Sequence, residues 1–229
     1  MRKARAEKSN KKKIIVIFII VLVLAAIAAF FGYQAKQFRD QKRYRRHMVN
    51  AYQQGDYKIA LEYQKDIART ENLFSSLLED DVDYYKADCY VKLEQYDKAI
   101  ALYDQMIEKK SDDSKNYMMK GNCYMKKEQI KKALETYKTG YEATQDTILL
   151  PNLAYCYIKR ENYEKAMEVV KIGLASEDES IKQDLLFDEI VLYEKDMDYE
   201  KAYEKAKEYV NLYPDDEKGI KEMTFLETR

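Results

Sequence analysis

The chain has 229 residues, of which 35% are charged and 46% are apolar, and its formal net charge is −1. Six glycines and two prolines are too few for the many turns of an all-β protein. The small net charge conceals a division, because residues 1–46 carry 13 Lys/Arg against Glu7 and Asp40, a balance of +11, whereas the rest carries 27 against 39, a balance of −12. An acidic body lacks the basic face that nucleic acids require. The composition therefore favours amphipathic helices and argues against nucleic acid as a partner.

The first segment of the chain is strongly basic and is followed by an apolar run. Residues 1–13 form a short basic tail, and the 18 residues from Ile14 to Phe31 contain no charged or polar side chain. At about 1.5 Å per residue, such a helix spans most of a hydrocarbon core of about 30 Å. We predict a single transmembrane helix at residues 14–33. The alternative is a cleavable signal peptide, since residues 26–28 have the Ala-x-Ala form, although the apolar run continues past that site.

The residues after the apolar run predict a helical stalk, and the charges on both sides of the run bear on its orientation in the membrane. Residues 34–48 contain no Gly or Pro and are rich in Gln, Lys and Arg, so the membrane helix is expected to continue through them into the first repeat. Seven basic residues precede the span and six follow it, which nearly balances the positive-inside rule. The three lysines that abut the span favour a cytoplasmic N-terminus, with the repeats on the outer side of the membrane.

A ten-residue pattern recurs along the rest of the chain. Its clear copies are residues 90–99, 124–133, 157–166 and 193–202, and residues 51–60 are a degenerate copy. The alanines that close the five copies are 39, 34, 33 and 36 residues apart. A period in this range predicts a solenoid of stacked supersecondary units. Each copy predicts the end of one helix, a tight turn and the start of the next helix, with the closing Ala where two helices cross closely.

Further positions fit one family of helical repeats. A small residue lies three positions before the first Tyr (Ala87, Gly121, Ala154), an aromatic residue follows the closing Ala (Tyr103, Tyr137), and Pro214 closes the last repeat. From about residue 41 to 216 the chain resembles the tetratricopeptide repeat (TPR) family, although it has no Trp and its earlier repeats lack the closing Pro. The resemblance implies an all-α solenoid of about five helix-turn-helix repeats at residues 41–216, with a C-terminal capping helix at residues 217–229. Residues 70–79 lengthen the first interval and are predicted to be an extended helix end and a loop.

Three cysteines occupy one equivalent place in three repeats. Cys89, Cys123 and Cys156 each directly precede the first Tyr of their copy, and no Cys-x-x-Cys or Cys/His spacing is present. Equivalent atoms in neighbouring repeats are expected to lie about 10 Å apart, which is too far for a disulfide. We predict three small buried residues and no metal or redox site.

The resemblance also implies a concave groove, lined by the first helices of successive repeats, that binds a protein or a peptide. Counting back from each closing Ala gives the residues that are expected to face this groove. They are Tyr84, Asp88, Lys92, Met118, Asn122, Met125, Lys126, Tyr155, Ile158, Lys159, Phe187, Val191 and Lys195. The set contains an apolar stripe and a column of four lysines. One hypothesis is a groove for an apolar peptide that carries acidic groups, and the alternative is that each Lys stabilises the C-terminal end of its own helix.

One specialised TPR site can be tested on the sequence. Some TPR proteins hold a C-terminal carboxylate with Lys, Asn and Arg from three consecutive repeats. Asn122 and Asn152 match the two asparagines of that clamp, but Met118 replaces its first Lys, and Asp184 and Asp188 replace its last Lys and Arg. Two acids at these places would repel a carboxylate, so we do not expect the clamp.

The sequence contains no arrangement of residues that predicts catalysis. One His, three equivalent cysteines and no Gly-rich loop leave no triad, metal site or phosphate-binding loop to propose, and no cofactor is expected. We therefore predict a non-enzymatic, membrane-anchored TPR scaffold or assembly factor that binds a protein or peptide, and we expect this partner to be associated with the membrane. Two alternatives remain: a structural subunit that self-associates into a membrane complex, and an inside-facing receptor for newly made proteins.

Overall fold

The computed structural model describes the backbone of residues 2–75 and 79–229, and the side chains of residues 13–75 and 82–229. Within these ranges the chain is all-α, as predicted, and contains α-helices, short 3-10 helices and turns. The α-helices are α1 (Arg2–Gln53), α2 (Tyr57–Arg69), α3 (Glu79–Lys92), α4 (Tyr96–Lys109), α5 (Ser114–Lys126), α6 (Ile130–Thr144), α7 (Leu150–Lys159), α8 (Tyr163–Leu174), α9 (Lys182–Lys195), α10 (Tyr199–Leu212) and α11 (Glu217–Leu226). Short 3-10 helices at Thr147–Leu149 and Glu179–Ile181 lead into α7 and α9. Contacts divide the chain into two compact units, Met1–Leu93 and Glu94–Arg229.

The first helix of the N-terminal unit is continuous from Arg2 to Gln53. It therefore contains the predicted apolar span, the predicted stalk and the first helix of the first repeat. Each side chain from Ile14 to Leu24 is more than half exposed. Among the described residues, this is the one helix long and apolar enough to cross a membrane, although a signal sequence would meet the same criterion. An exposed apolar surface of this extent indicates a partner other than water.

The rest of the N-terminal unit packs on the last turns of α1. Its core joins side chains of α1, α2 and α3, and consists of Met48, Ala51, Ala60, Ile67, Val82 and Cys89. The loop after α2 is fixed to α1 by the buried Gln41, whose Nε2 atom donates to the Ser75 hydroxyl (3.1 Å) and whose Oε1 atom accepts from the Asn72 amide (3.0 Å). Residues 70–79 were predicted to form an extended helix end and a loop. Helix α2 ends at Arg69 and the described residues 70–75 lie outside any α-helix, so the loop is present there and the helix end is not extended. Residues 76–78 lie outside the described part of the chain.

The C-terminal unit is a series of helix pairs. Helices α5 and α6, α7 and α8, and α9 and α10 pack as pairs, each pair packs on the next, and α11 packs on α10.

The small residues of the sequence pattern are buried in both units. The five closing alanines are fully buried, as their predicted place at helix crossings requires, and they are Ala60, Ala99, Ala133, Ala166 and Ala202. All three cysteines are also buried and free. Burial raises the pKa of the Cys89 thiol to about 11 and that of Cys156 to about 12, which keeps both thiols protonated at neutral pH.

Every turn within a copy of the pattern contains a residue with left-handed backbone conformation. The fifth residue of each copy has a positive φ: 83° at Gly55, 58° at Glu94, Glu128 and Glu161, and 60° at Met197. Gly adopts this conformation without strain, whereas a residue with a Cβ atom is destabilised there by about 1 kcal/mol or more. Four of the five turns therefore hold a strained residue, which the sequence pattern did not reveal because only the first copy has Gly at that position.

We expect Glu128→Gly to stabilise the C-terminal unit. The exposed Glu128 side chain lies in the turn between α5 and α6, so its removal relieves backbone strain and leaves the core intact. We expect the free energy of unfolding to rise by roughly 0.5–1 kcal/mol, measured by urea denaturation. Glu135→Gly, at an exposed position within α6, is the matched control and should lower it by about 1 kcal/mol. Equal changes in the free energy of unfolding for Glu128→Gly and Glu135→Gly would contradict backbone strain at Glu128.

Candidate peptide-binding site

The predicted groove residues of the N-terminal unit lie on α3. Asp88 accepts a hydrogen bond from the hydroxyl of Tyr52 on α1, and this bond, together with burial and the carboxylate charge, raises the pKa of Tyr52. Lys92 is exposed in the last turn of α3, and Tyr84 is half-buried. Asp88 therefore ties α1 to α3 within the unit.

The predicted apolar stripe of the C-terminal unit is mostly half-buried between helices. Met118, Met125 and Ile158 pack against the hydrophobic core of the C-terminal unit, which includes the buried Tyr137. The Cys156 thiol donates to the Met125 sulfur over 3.6 Å. The predicted groove residue Asn122 accepts a hydrogen bond of 2.6 Å from the Tyr137 hydroxyl. These contacts hold neighbouring helices together, so the stripe contributes more to packing than the sequence suggested.

The lysine column lies at helix ends. Lys126, Lys159 and Lys195 are exposed, each in the last turn of its helix. The Nζ atom of Lys159 lies 5.3 Å from the centre of the Tyr155 ring, four residues earlier on α7. A cation in the last turn of a helix is stabilised by the helix dipole. These positions agree with a role at the helix ends, and binding of acidic groups by the column stays a prediction.

A cavity of about 330 Å³ lies within the C-terminal unit, on α7, α9, the end of α10 and the start of α11. Its aromatic walls are Tyr155, Phe187 and Tyr209. Its charged groups are Asp184, Asp188, Asp216 and Lys218, and Asn152 and Gln183 add two side-chain amides. The cavity therefore includes two of the predicted groove residues, Tyr155 and Phe187, together with the acids that replace the carboxylate clamp.

Two of the aromatic rings that line the cavity, those of Phe187 and Tyr209, are buried, and the third, that of Tyr155, is exposed. Phe187 is 7% exposed, less than expected for a groove residue, because its ring packs edge-on against Tyr209 with centroids 5.6 Å apart. The Nζ atom of Lys218 lies 3.5 Å from the centre of the Phe187 ring, a cation–π contact. Tyr155 is 43% exposed. The cavity thus presents aromatic surface next to charge.

Asp216 has a structural role at the edge of the cavity. It caps α11 by accepting from the backbone N–H groups of Lys218 (2.8 Å) and Gly219 (3.4 Å), and it also accepts from the Tyr209 hydroxyl and from Gln183 Nε2 (2.9 Å). These hydrogen bonds lower the pKa of the Asp216 carboxyl, and the bond from the Tyr209 hydroxyl has the largest effect. Burial and the bond to Asp216 raise the pKa of Tyr209 to about 12. Asp216 is therefore ionised and well satisfied.

Asp188 is in a different state. Burial and, to a smaller extent, the nearby charge of Asp184 raise the pKa of Asp188 to about 7, although the Lys218 ammonium opposes both effects. No hydrogen bond to its carboxylate comes from any residue that the structure describes, in contrast to Asp216. Near neutral pH, the cavity therefore contains a carboxylate that is only partly ionised and that accepts no hydrogen bond from the described residues.

The chain is similar to known TPR structures. A family model for the anaphase-promoting complex (cyclosome) subunit 3 matches residues 95–171, about a third of the chain. A tetratricopeptide repeat protein from Parabacteroides merdae ATCC 43184 is 15% identical, with a TM-score of 0.70 over 82% of this chain and 72% of that chain. A comparison with curated protein sequences finds no significant match.

Two further solved structures cover nearly the whole of their own chains. YrrB, described as a TPR protein with an unusual peptide-binding site, is 19% identical, with a TM-score of 0.60 over 84% of this chain and 96% of that chain. MamA from Desulfovibrio magneticus RS-1, residue 41 to its end, is 19% identical, with a TM-score of 0.63 over 78% and 97%. At these identities the likeness establishes the fold: the chain is a TPR-type α-solenoid protein.

Proposed function

We propose that the chain is a membrane-anchored scaffold that binds a segment of a partner protein on the first helices of its C-terminal repeats. The observation that carries this proposal is the cavity on α7, α9 and α11, which combines an exposed aromatic ring with charged groups. Concave sites that combine apolar walls with a few polar groups are the common form of binding site. YrrB, which shares the fold, is described as having a peptide-binding site.

The exposed apolar run of α1 supports the membrane part of the proposal. A helix that leaves eleven consecutive apolar residues more than half exposed is stable in a bilayer and poorly stable in water. Because α1 continues without interruption into the first repeat, the anchor would hold that repeat close to the membrane surface. Such tethering raises the effective concentration of the scaffold for membrane-bound partners. We propose a cytoplasmic N-terminus with the repeats on the outer side.

Photocrosslinking of the full chain in its native membrane tests this proposal. A photoreactive phenylalanine analogue replaces Tyr155 in the cavity or, as the matched control, Ile172, which is 50% exposed on α8 and lies outside the cavity lining. We expect a discrete adduct with a partner protein from position 155 and none from position 172. Adducts with a second copy of the chain would support the self-associating alternative instead. Release of the chain from membranes by alkaline carbonate would contradict the anchor.

A further inference from the structure

The charges in the cavity do not balance. Three carboxylates, those of Asp184, Asp188 and Asp216, share the lining with one ammonium group, that of Lys218. Asp216 is satisfied by donors from the protein itself. Asp184 and Asp188 lie four residues apart on α9, so both side chains occupy one face of the helix. Asp184 is exposed and Asp188 is half-buried, so these two acids add negative charge to the lining of a partly enclosed space.

The cavity is suited to an organic cation. Aromatic rings attract cations through their faces, and one ammonium group, that of Lys218, already lies over Phe187. The exposed ring of Tyr155 offers a second aromatic surface in the same lining. Among the described residues, no group of three or more His, Cys, Asp or Glu is placed to hold a metal ion. The acids therefore do not converge as metal ligands, and aromatic walls are not the surroundings that Mg²⁺ or Ca²⁺ prefers.

We infer that this cavity binds a Lys or Arg side chain of the partner segment, with Asp184 and Asp188 pairing with its charge and Tyr155 covering its aliphatic stem. This inference rests on the proposed function and specifies the partner as a basic peptide. It is opposite in sign to the acidic peptide that the lysine column suggested. The difference arises because acids at two clamp positions remove the site for a carboxylate and create one for a cation.

The charges that line the cavity predict how binding of a basic peptide depends on pH and on salt. A bound cation stabilises the ionised form of Asp188, so binding should release a proton near neutral pH and strengthen as the pH rises from 6 to 8. The charged and titratable groups that share the lining with Asp188 are Asp184, Asp216, Lys218, Tyr155 and Tyr209. Added salt should weaken binding, since it screens the charges at this partly open site.

Selection from a displayed library of random 12-residue peptides, with the full chain in a neutral detergent, tests the inference. We expect the enriched peptides to carry a Lys or Arg whose replacement by norleucine weakens binding by about tenfold or more. The double variant Asp184→Asn/Asp188→Asn should show a similar loss. Glu168→Gln, at an exposed position on α8, is the matched control and should bind like the unchanged chain.

The outcomes separate the inference from the proposed function. Enriched peptides that lack Lys and Arg, or that bind the double variant within twofold of the unchanged chain, would overturn the cationic site and leave the scaffold proposal intact. Failure to enrich any peptide, together with the absence of an adduct from position 155, would overturn both. Since neutralising two neighbouring acids removes charge repulsion, the double variant should fold, and an unchanged circular dichroism spectrum would verify this.

Discussion

Gly219→Ala is expected to detach α11 from the C-terminal unit. A Cβ atom at Gly219 would lie 2.4 and 2.5 Å from two ring carbons of Tyr209, far inside van der Waals contact. Tyr209 cannot yield, because its ring is 2% exposed and packs against Phe187 and Tyr213. We expect a loss of roughly 2–3 kcal/mol of unfolding free energy, and rapid hydrogen exchange in α11, measured by mass spectrometry.

The sign of this effect is diagnostic. In a helix that is not docked, Gly→Ala raises stability by about 1 kcal/mol, because Ala has the higher helix propensity. Thr224→Ala, at an exposed position on the same helix, is the matched control and should leave exchange in α11 nearly unchanged. A more stable Gly219→Ala variant would show that α11 does not pack as described. Because Asp216 and Lys218 line the cavity, detachment of α11 should also remove peptide binding.

The stability of the C-terminal unit should fall as the pH rises from 5 to 8. Asp188 has a pKa of about 7, raised mainly by burial, and Glu194 also has a pKa of about 7, raised by burial and by the neighbouring Glu222. Both groups hold their protons in the folded state at a pH where the unfolded chain has lost them. The unfolding free energy therefore decreases between the unfolded pKa near 4 and the folded pKa. Thermal melting followed by circular dichroism measures this trend.

Asp188→Asn isolates the contribution of one of these groups. The amide has the shape of the carboxyl group and carries no charge, so it avoids the desolvation of an ionised Asp188. A pKa raised by about three corresponds to up to about 4 kcal/mol, and we expect about 2 kcal/mol of stabilisation at pH 8, because the cavity is open to solvent. At pH 5 the variant should match the unchanged chain.

One result for Asp188→Asn would contradict the raised pKa of Asp188. A gain that is the same at pH 5 and pH 8 would show that Asp188 is not the titrating group. Asp178, Asp198 and Asp216 have lowered pKa values, so the stability that their ionised forms contribute is lost only at a pH below 5. Greater stability combined with weaker peptide binding would identify Asp188 as a residue retained for binding at the expense of stability.

The features that repeat along the chain could be predicted from the sequence. The spacing of the closing alanines predicted the helix crossings, because only a small side chain fits where backbones approach. All five alanines are fully buried. The cysteines were predicted to be small buried residues because they occupy one equivalent place in three repeats without metal-ligand or disulfide spacing, and all three are buried. The family resemblance gave the solenoid, and the structural comparisons confirm the fold.

The backbone conformation of the turns and the contacts between repeats could not be predicted. The left-handed residues such as Glu128 were missed, because a Glu carries no signal for a positive φ. Lys218 and Asp216 enter the cavity only because α11 packs on α10. Asp184 and Asp188 were noted as departures from a carboxylate clamp, and their charge was the available signal for a site of opposite preference.

Mass-spectrometric sequencing of the peptide crosslinked at position 155 in the native membrane tests most directly whether a basic segment of a partner protein occupies the cavity on α7, α9 and α11. We predict a partner segment with a Lys or Arg within a few residues of the crosslinked site, and loss of the adduct in the Asp184→Asn/Asp188→Asn background. An acidic or purely apolar segment, or an adduct that persists in that background, would contradict occupancy by a basic segment.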